Sequence, residues 1–413
     1  MAESCNSRSF SWLVKSCIPD PRREIANPSS ESHRGHRSSV AVVASSAAAP
    51  IFSLPDDLLL ECLGRVSSSS LPSLPLVCRR FALLLDSPDF FHLRRLHGRL
   101  RRSIHAVSVS DLAVLTSATL PLASTAADSW EVTAFPLPFS PQISDGSGSF
   151  SHARAVPVGR SVYLIGRGAT ILYDTWTGHI ASRSPTLFPR KKFAAAAIAG
   201  KIYVAGGSSR TSAVEEYDPS ADEWKVIAEA PRRRYGCVGA AAGGVFYVAG
   251  GLRVGSGRAL DAHVCAGSVD AYHVAGRGWL RPRAVPGGGC VVGACGVGEH
   301  VYILASHAVE ISFWRWEVGG RGRRGGDWTR LDPPPVPSRV GLGGAVLFSC
   351  AAVGADRMAA VVHVSAVRGG TVDEAAASAD GAVLVYDIPG GEWTRGPDLP
   401  PGFRRAACAG VEC

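Results

Sequence analysis

Residues Ala195–Ile227 read AAAIAGKIYVAGGSSRTSAVEEYDPSADEWKVI. Ala195–Ala199 is a run of small residues, suited to a strand with little room around it. Ile202–Ala205 follows and stops at the pair Gly206-Gly207. Ala213–Tyr217 comes next and is closed by the turn Asp218-Pro219, after which Glu223–Ile227 carries Trp224. Each run is strand-length, rich in β-branched, aromatic or small residues, and bounded by Gly, Pro, Asp or Ser. The stretch therefore reads as four short antiparallel strands in succession.

The unit recurs along the chain. Tyr217 precedes Trp224 by seven residues, and the same interval separates Tyr272 from Trp279 and Tyr386 from Trp393. A weaker copy runs from Tyr173 to Ile180, and a second glycine pair, Gly250-Gly251, closes VFYVAGG. Trp328 in GGDWTRL and Trp130 in DSWEVTAFPLP mark two further outer strands. These marks recur at roughly 45–65 residues, near the period of a four-stranded propeller blade. A glycine pair, then Tyr, then Trp at fixed spacing resembles the kelch repeat.

The number of blades follows from the pieces. Five complete units start at Ala153, Phe193, Gly236, Val291 and Leu342, with long loops or insertions at Arg253–Val264, after Trp316 and at Arg368–Asp380. Before them lie three strand candidates without an inner strand: His105–Ser110, Leu112–Thr116 and Trp130–Phe135. After them, Phe403–Cys413 is an inner strand with nothing following. Joining the two ends makes one composite blade and leaves no open edge. The expectation is a mainly β protein, a six-bladed kelch β-propeller closed by its C-terminal strand.

Phe52–Leu96 has a helical rather than a two-residue period. Pro55, Asp56 and Asp57 are helix-start residues, because the first N–H groups of a helix lack partners and favour negative charge. Leu58, Leu59, Cys62, Leu63 and Val66 share one predicted face. A second helix is expected from Leu71 to Leu85, with Leu74, Val77, Cys78, Phe81, Leu84 and Leu85 on its face, and a third over Asp89–Leu96 after Ser87-Pro88. So small a helical unit cannot enclose a generous core, which points to a partner surface. LPDDLLLECLGRV, then LVCRRF, then SPDFF resemble an F-box, with Phe81 where that family usually has Trp. The resemblance implies a small three-helix module docking on the adaptor Skp1, with Leu54, Pro55, Leu58, Leu63, Val77, Cys78 and Phe81 facing it.

The domain reading is a disordered N-terminal tail over 1–50, an F-box over 51–97 and the kelch propeller over 98–413. The tail holds a short apolar island, Phe10–Ile18, too short to span a membrane. The formal net charge is +8, spread along the chain, so a nucleic-acid partner is not expected. Arg94, Arg95, Arg99, Arg101 and Arg102 read as a solvated face leading into a linker. The eleven cysteines are scattered and none has CxxC spacing, so neither zinc nor a disulfide framework is expected. Gly320–Gly325 fits GxGxxG in letters only, because it lies in a blade insertion with no helix after it. No motif for catalysis or for a cofactor emerges, and the expected cofactors are none.

An F-box followed by kelch repeats resembles a large plant family. The resemblance implies the substrate-recognition subunit of an SCF-type E3 ubiquitin ligase, itself non-catalytic and cytoplasmic or nuclear. Its partners would be a Skp1-like adaptor, through it cullin-1 and a RING subunit, and an unknown protein target. Family members act on phenylpropanoid or flavonoid enzymes or in light signalling. The alternative is a kelch interaction scaffold without ubiquitin transfer. In such propellers the loop entering each inner strand opens on one rim of the channel. Here it repeatedly carries a cation: Arg154, Lys192, Arg234, Arg339 and Arg405, with Gly287–Gly289 in the fourth unit. A basic partial ring would attract an acidic target.

Overall fold

The quoted stretch folds as four antiparallel strands: Ala194–Ile198, Lys201–Ala205, Ala213–Asp218 and Glu223–Glu229, in that order across one sheet. The seven-residue interval is a hairpin register. Tyr217 lies directly opposite Trp224, Tyr272 opposite Trp279, Tyr386 opposite Trp393, and Tyr173 opposite Ile180. Such opposed side chains are the stabilising unit of a sheet, and the rings of the first pair sit 4.9 Å apart. In the fourth complete blade Trp316 takes the tyrosine's place opposite Trp328.

The computed structural model describes residues 51–122, 129–138, 150–253, 265–307, 310–318, 327–336, 347–363 and 381–413. Residues 1–50, the insertions within 254–264, 319–326 and 364–380, and Arg339 lie outside the described residues. The chain forms two compact units, Met1–Leu100 and Arg101–Cys413.

The second unit is a six-bladed β-propeller. Five blades are each built from strands in chain order, starting at Arg154, Ala194, Val238, Cys290 and Leu347, with the short strand Leu252–Arg253 standing apart from the third and pairing with Arg234–Tyr235. The sixth is composite: the C-terminal strand Ala407–Glu412 pairs with Arg102–Val109, which continues to Val114–Pro121 and Glu131–Pro136. Arg102 reinforces the closure by reaching Glu412 at 3.1 Å and Asp356, at the turn of the fifth blade, at 2.7 Å.

Two sequence features fix how the blades meet. The inner strands are small because they crowd the axis. A Cβ at Gly296 would overlap the Ala241 carbonyl of the neighbouring blade, and one at Gly410 that of Ala352. The outer strands are latched by tryptophan. The indole N–H of Trp224 donates to the Ser184 carbonyl (2.8 Å), Trp279 to Glu229 (2.7 Å), Trp393 to Asp332 (2.9 Å) and Trp130 to Pro397 (3.2 Å). In each case the acceptor sits at the end of the preceding blade's outer strand, so a residue read as a blade marker is also a bond between blades.

The first unit has α-helices over Asp56–Gly64, Arg79–Leu85 and Pro88–Leu96. The expected helix from Leu71 to Leu85 is divided. Leu71–Leu76 is 3-10, and Cys78 is extended (φ −161°, ψ 161°) before the α-helix begins. Pro72 and Pro75 withhold N–H groups from that segment, and proline disfavours helical backbone at the residue before it. The third helix is capped by Ser87, whose Oγ accepts from the Phe90 N–H at 3.2 Å. The buried face of the first helix is also rotated from the expected one: Leu59, Leu60 and Leu63 are buried, while Leu58 is 49% exposed.

Candidate functional site

The propeller offers one cationic mouth at an end of its channel. It arises where the chain enters the inner strands. His152 and Lys192 each stand two residues before such a strand and hold left-handed backbone (φ 68° and 54°), which Gly236 adopts at the matching place in the next blade. Non-glycine residues seldom accept that conformation, and neighbouring structure must hold them there. Here the Gly236 N–H donates to the Lys192 carbonyl at 2.9 Å, and the Lys192 ammonium lies 5.9 Å from the Tyr235 ring.

Arg154 opens the inner strand of the first complete blade. Its Nε donates to the Phe193 carbonyl (2.8 Å) and Nη2 to the Cys237 carbonyl (3.0 Å), so one side chain spans the entrances of the next two blades. Arg404 and Arg405 precede the C-terminal strand, and Arg405 is exposed. His152, Arg154, Lys192, His363, Arg404 and Arg405 share the wall of a cavity of about 310 Å³ with backbone and small side chains. Burial, and then the nearby charges of Lys192, Lys191, Arg405 and Arg154, hold the His152 imidazole down at about 4. The mouth is therefore a field of positive charge in which this histidine stays neutral at physiological pH.

A second cavity, which shares Cys350 and Cys408 with it, is lined mainly by alanines, glycines and cysteines. Burial pushes the Cys350 and Cys408 thiols up to about 12, so they remain protonated and weakly nucleophilic. Among the described residues no group of His, Cys, Asp or Glu is placed to hold a metal ion, and no helix is long and apolar enough to cross a membrane.

The structure brings together three of the five expected cations: Arg154, Lys192 and Arg405. Arg234 is not one of them. It is 1% exposed and pairs with Asp270 at 2.8 Å, while donating to the carbonyls of Gly250 and Cys265. Its counterpart in the preceding blade is Arg190, which pairs with Glu215 and donates to the Gly206 carbonyl in the same way. The register explains the difference. Arg190 and Arg234 each precede their glycine pair by the same interval, so the residue matching Lys192 is Gly236. His152 and Arg404 are the mouth residues that sequence reasoning missed. The pairing of His152 with Lys192 depends on backbone conformation, which has no signature in residue type.

The helical unit divides the expected docking residues in the same manner. Leu54, Val77 and Cys78 are half-buried, Pro55 is exposed and Leu58 is 49% exposed. Leu63 and Phe81 are instead buried, at 4% and 1%, and belong to the unit's own core. Leu76, at 76% exposure, and Leu83, at 65%, are surface leucines beyond the expected set. In the basic run Arg95, Arg99 and Arg101 are exposed, as expected, and Arg94 is the exception. Arg94 is fully buried and donates to the carbonyls of Gly64 (3.3 Å) and Val66 (2.9 Å), answering carbonyls at the end of the first helix. Arg99 reaches the Arg65 carbonyl at 2.7 Å.

The F-box domain matches residues 51–93, and the kelch motif matches residues 189–231. The F-box/kelch-repeat protein At5g26960 of Arabidopsis thaliana is 48% identical over the full length of both chains. This chain belongs to the F-box/kelch-repeat family. A second Arabidopsis thaliana F-box/kelch-repeat protein, At1g67480, is 27% identical over 51% of this chain and 58% of its own. The solved structure of YjhT superposes with a TM-score of 0.46 at 15% identity, covering 62% of this chain and 86% of that one. The kelch motif match contains Arg190, the Gly206-Gly207 pair, Glu215, Tyr217 and Trp224. The features of this F-box/kelch-repeat chain that carry blade structure thus lie within the match, whereas most of the cationic mouth lies outside it.

Proposed function

We propose that this protein is the substrate-recognition subunit of an SCF-type (Skp1–cullin–F-box) ubiquitin ligase. The F-box would dock on a Skp1-like adaptor, and through it cullin-1 and a RING subunit, while the kelch propeller holds the protein to be ubiquitinated. The observation that carries the reading is the joining of two units with separate unpartnered surfaces. The F-box leaves Leu58, Leu76 and Leu83, as well as Pro55, exposed to water. The propeller presents a cationic mouth whose wall, among the described residues, carries no carboxylate.

Neither unit needs to do chemistry in such a complex. Holding a target near a charged ubiquitin carrier raises its effective concentration, and the carrier supplies the reactive bond. Arg154, Lys192 and Arg405 are the residues we assign to target binding. Leu54, Pro55, Leu58, Val77 and Cys78 are those assigned to the adaptor, with Leu63 and Phe81 supporting them from inside.

Capture of Skp1 by the full chain tests the proposal. Leu54→Ala with Pro55→Ala and Leu58→Ala should remove capture, since apolar anchors at an interface cost ~2 kcal/mol or more each when truncated. Undiminished capture by a variant whose propeller melts normally would sink it. Failure of the unaltered chain to capture Skp1 would leave the kelch scaffold as the reading.

A further inference from the structure

The residues assigned to the adaptor come from two segments of the helical unit that are distant in sequence. Leu54, Pro55 and Leu58 stand around the start of the first α-helix, Asp56–Gly64, and Val77 and Cys78 stand just before the second, Arg79–Leu85. Neither approach is helical at the last residue before its helix: Pro55 has φ −56° and ψ 154°, and Cys78 has φ −161° and ψ 161°. Pro55 offers the first helix no side-chain cap. Arg80 ties the two approaches together. Its Nη2 donates to the Leu54 carbonyl at 2.7 Å, and its Nε donates to Asp56 Oδ1 at 2.8 Å, an oxygen that Nη2 also reaches. One guanidinium thus grips the residue before Pro55 and the residue after it, from a position two residues beyond Cys78. Arg94 and Arg99, by contrast, answer the carbonyls of Gly64, Val66 and Arg65 at the other end of that helix.

We propose that Arg80 is a positioning residue of the docking surface, holding Leu54-Pro55 in place against Val77-Cys78 so that the two halves meet the adaptor as one preformed face. The inference rests on the adaptor-docking reading above and names the residue that organises that site. Stability is a poor account of the contact. The Arg80 side chain is 34% exposed and that of Asp56 63%, and ion pairs as open as this add little to folding. Geometry is a better account. The planar guanidinium fork holds a carbonyl and a carboxylate at once from a fixed direction, which the compact ammonium of lysine does not. A segment fixed before it binds also spares the complex the cost of ordering it on association. Arg80 therefore acts through Leu54 and Asp56, at a distance from the adaptor itself.

The test is titration of the full chain with purified Skp1. Arg80→Gln should weaken binding about tenfold, because the segment must then be ordered as it docks. Arg80→Lys should recover only part of that loss. Asp56→Ala should weaken binding less, and the double variant should fall well short of the sum of the two, since both changes break one contact. Hydrogen exchange on the same preparations gives a readout that a merely structural role would not. In Arg80→Gln the amides of Leu54 and Asp56 should exchange faster, while Leu59, Leu60 and Leu63 in the first helix keep their protection. Additive losses from Arg80→Gln and Asp56→Ala would put the guanidinium against the adaptor itself and overturn the proposal. An equal loss from Arg79→Gln, at the exposed neighbouring position, would mean that the adaptor reads positive charge at this turn, and would overturn it too. Loss of protection along the whole helix in Arg80→Gln would make the contact a structural one, with the same consequence. Failure of the unaltered chain to bind Skp1 sinks the ligase reading and this inference with it, whereas binding that Arg80→Gln leaves unchanged sinks this inference alone.

Discussion

Three arginines of similar sequence setting divide between two tasks according to whether a carboxylate faces them. Arg190 and Arg234 face Glu215 and Asp270 inside their blades, while Arg154 faces the channel mouth without such a partner among the described residues. Asp270 also receives Arg232 at 3.1 Å, so its removal strands two cations. Asp270→Ala should therefore cost about 3 kcal/mol or more in urea unfolding, whereas exposed Arg405→Gln should stay within ~0.5 kcal/mol. A second prediction concerns His105, which is 3% exposed between Ser103 Oγ (2.9 Å) and Thr119 Oγ1 (3.1 Å). Burial lowers its imidazole to about 4, against an ordinary 6.5. Between those values the unfolded chain binds more protons than the folded one, so stability rises with pH across the window. The contribution is whole above pH 6.5 and is lost as the pH falls towards 4, an effect of about 3 kcal/mol at most. The Tm of the unaltered chain should fall more steeply between pH 6.5 and 4 than that of His105→Gln; parallel curves would show that His105 does not carry the effect.

The element on which the propeller depends is its last strand. Ala407–Glu412 supplies the inner position of the composite blade, fills the axis next to Ala352 with Gly410, and brings Glu412 to Arg102. Deleting Phe403–Cys413 would leave Arg102–Val109 as an exposed edge with unpaired backbone groups. The expected result is loss of soluble folded protein, read as aggregation in size-exclusion chromatography and a missing thermal transition. A truncated protein with an unchanged Tm would show that closure contributes little. The tryptophan latches act on the opposite side of the blades, so the ring is held at its axis by close backbone approach and at its perimeter by indole N–H bonds.

At the scale of the whole molecule, the two units should fail independently. Lys192→Glu with Arg405→Glu reverses two charges at the mouth without touching a buried pair, so the propeller should keep its Tm. Capture of the native target, identified by affinity purification with the proteasome blocked, should weaken and lose its salt dependence, while Skp1 retention stays as before. Equal target retention by this folded variant would move recognition to another surface. Arg234→Glu would be a poor probe, because it places a second carboxylate against Asp270 inside a blade and reports unfolding instead.

Sequence by itself determined what repeats. The Tyr-to-Trp interval is a hairpin register, and the glycine pairs supply backbone that a Cβ would obstruct: at Gly207 it would come within 2.6 Å of Phe193 Cβ. The strand missing at one end and left over at the other fixed both blade number and closure, since only pairing the termini satisfies their edges. Tertiary structure alone decided which polar side chains turn inward. Arg154 and Arg234 are the same residue type just ahead of small-residue runs, yet only one meets a carboxylate, and that carboxylate lies far along the chain on another strand. It also decided that Leu63 and Phe81, which the resemblance turned towards a partner, lie in the core of the helical unit itself. Period and turn chemistry are local, and so legible in the sequence; the partner of a charge, and whether an apolar side chain packs in its own unit, depend on chain segments that only folding brings together.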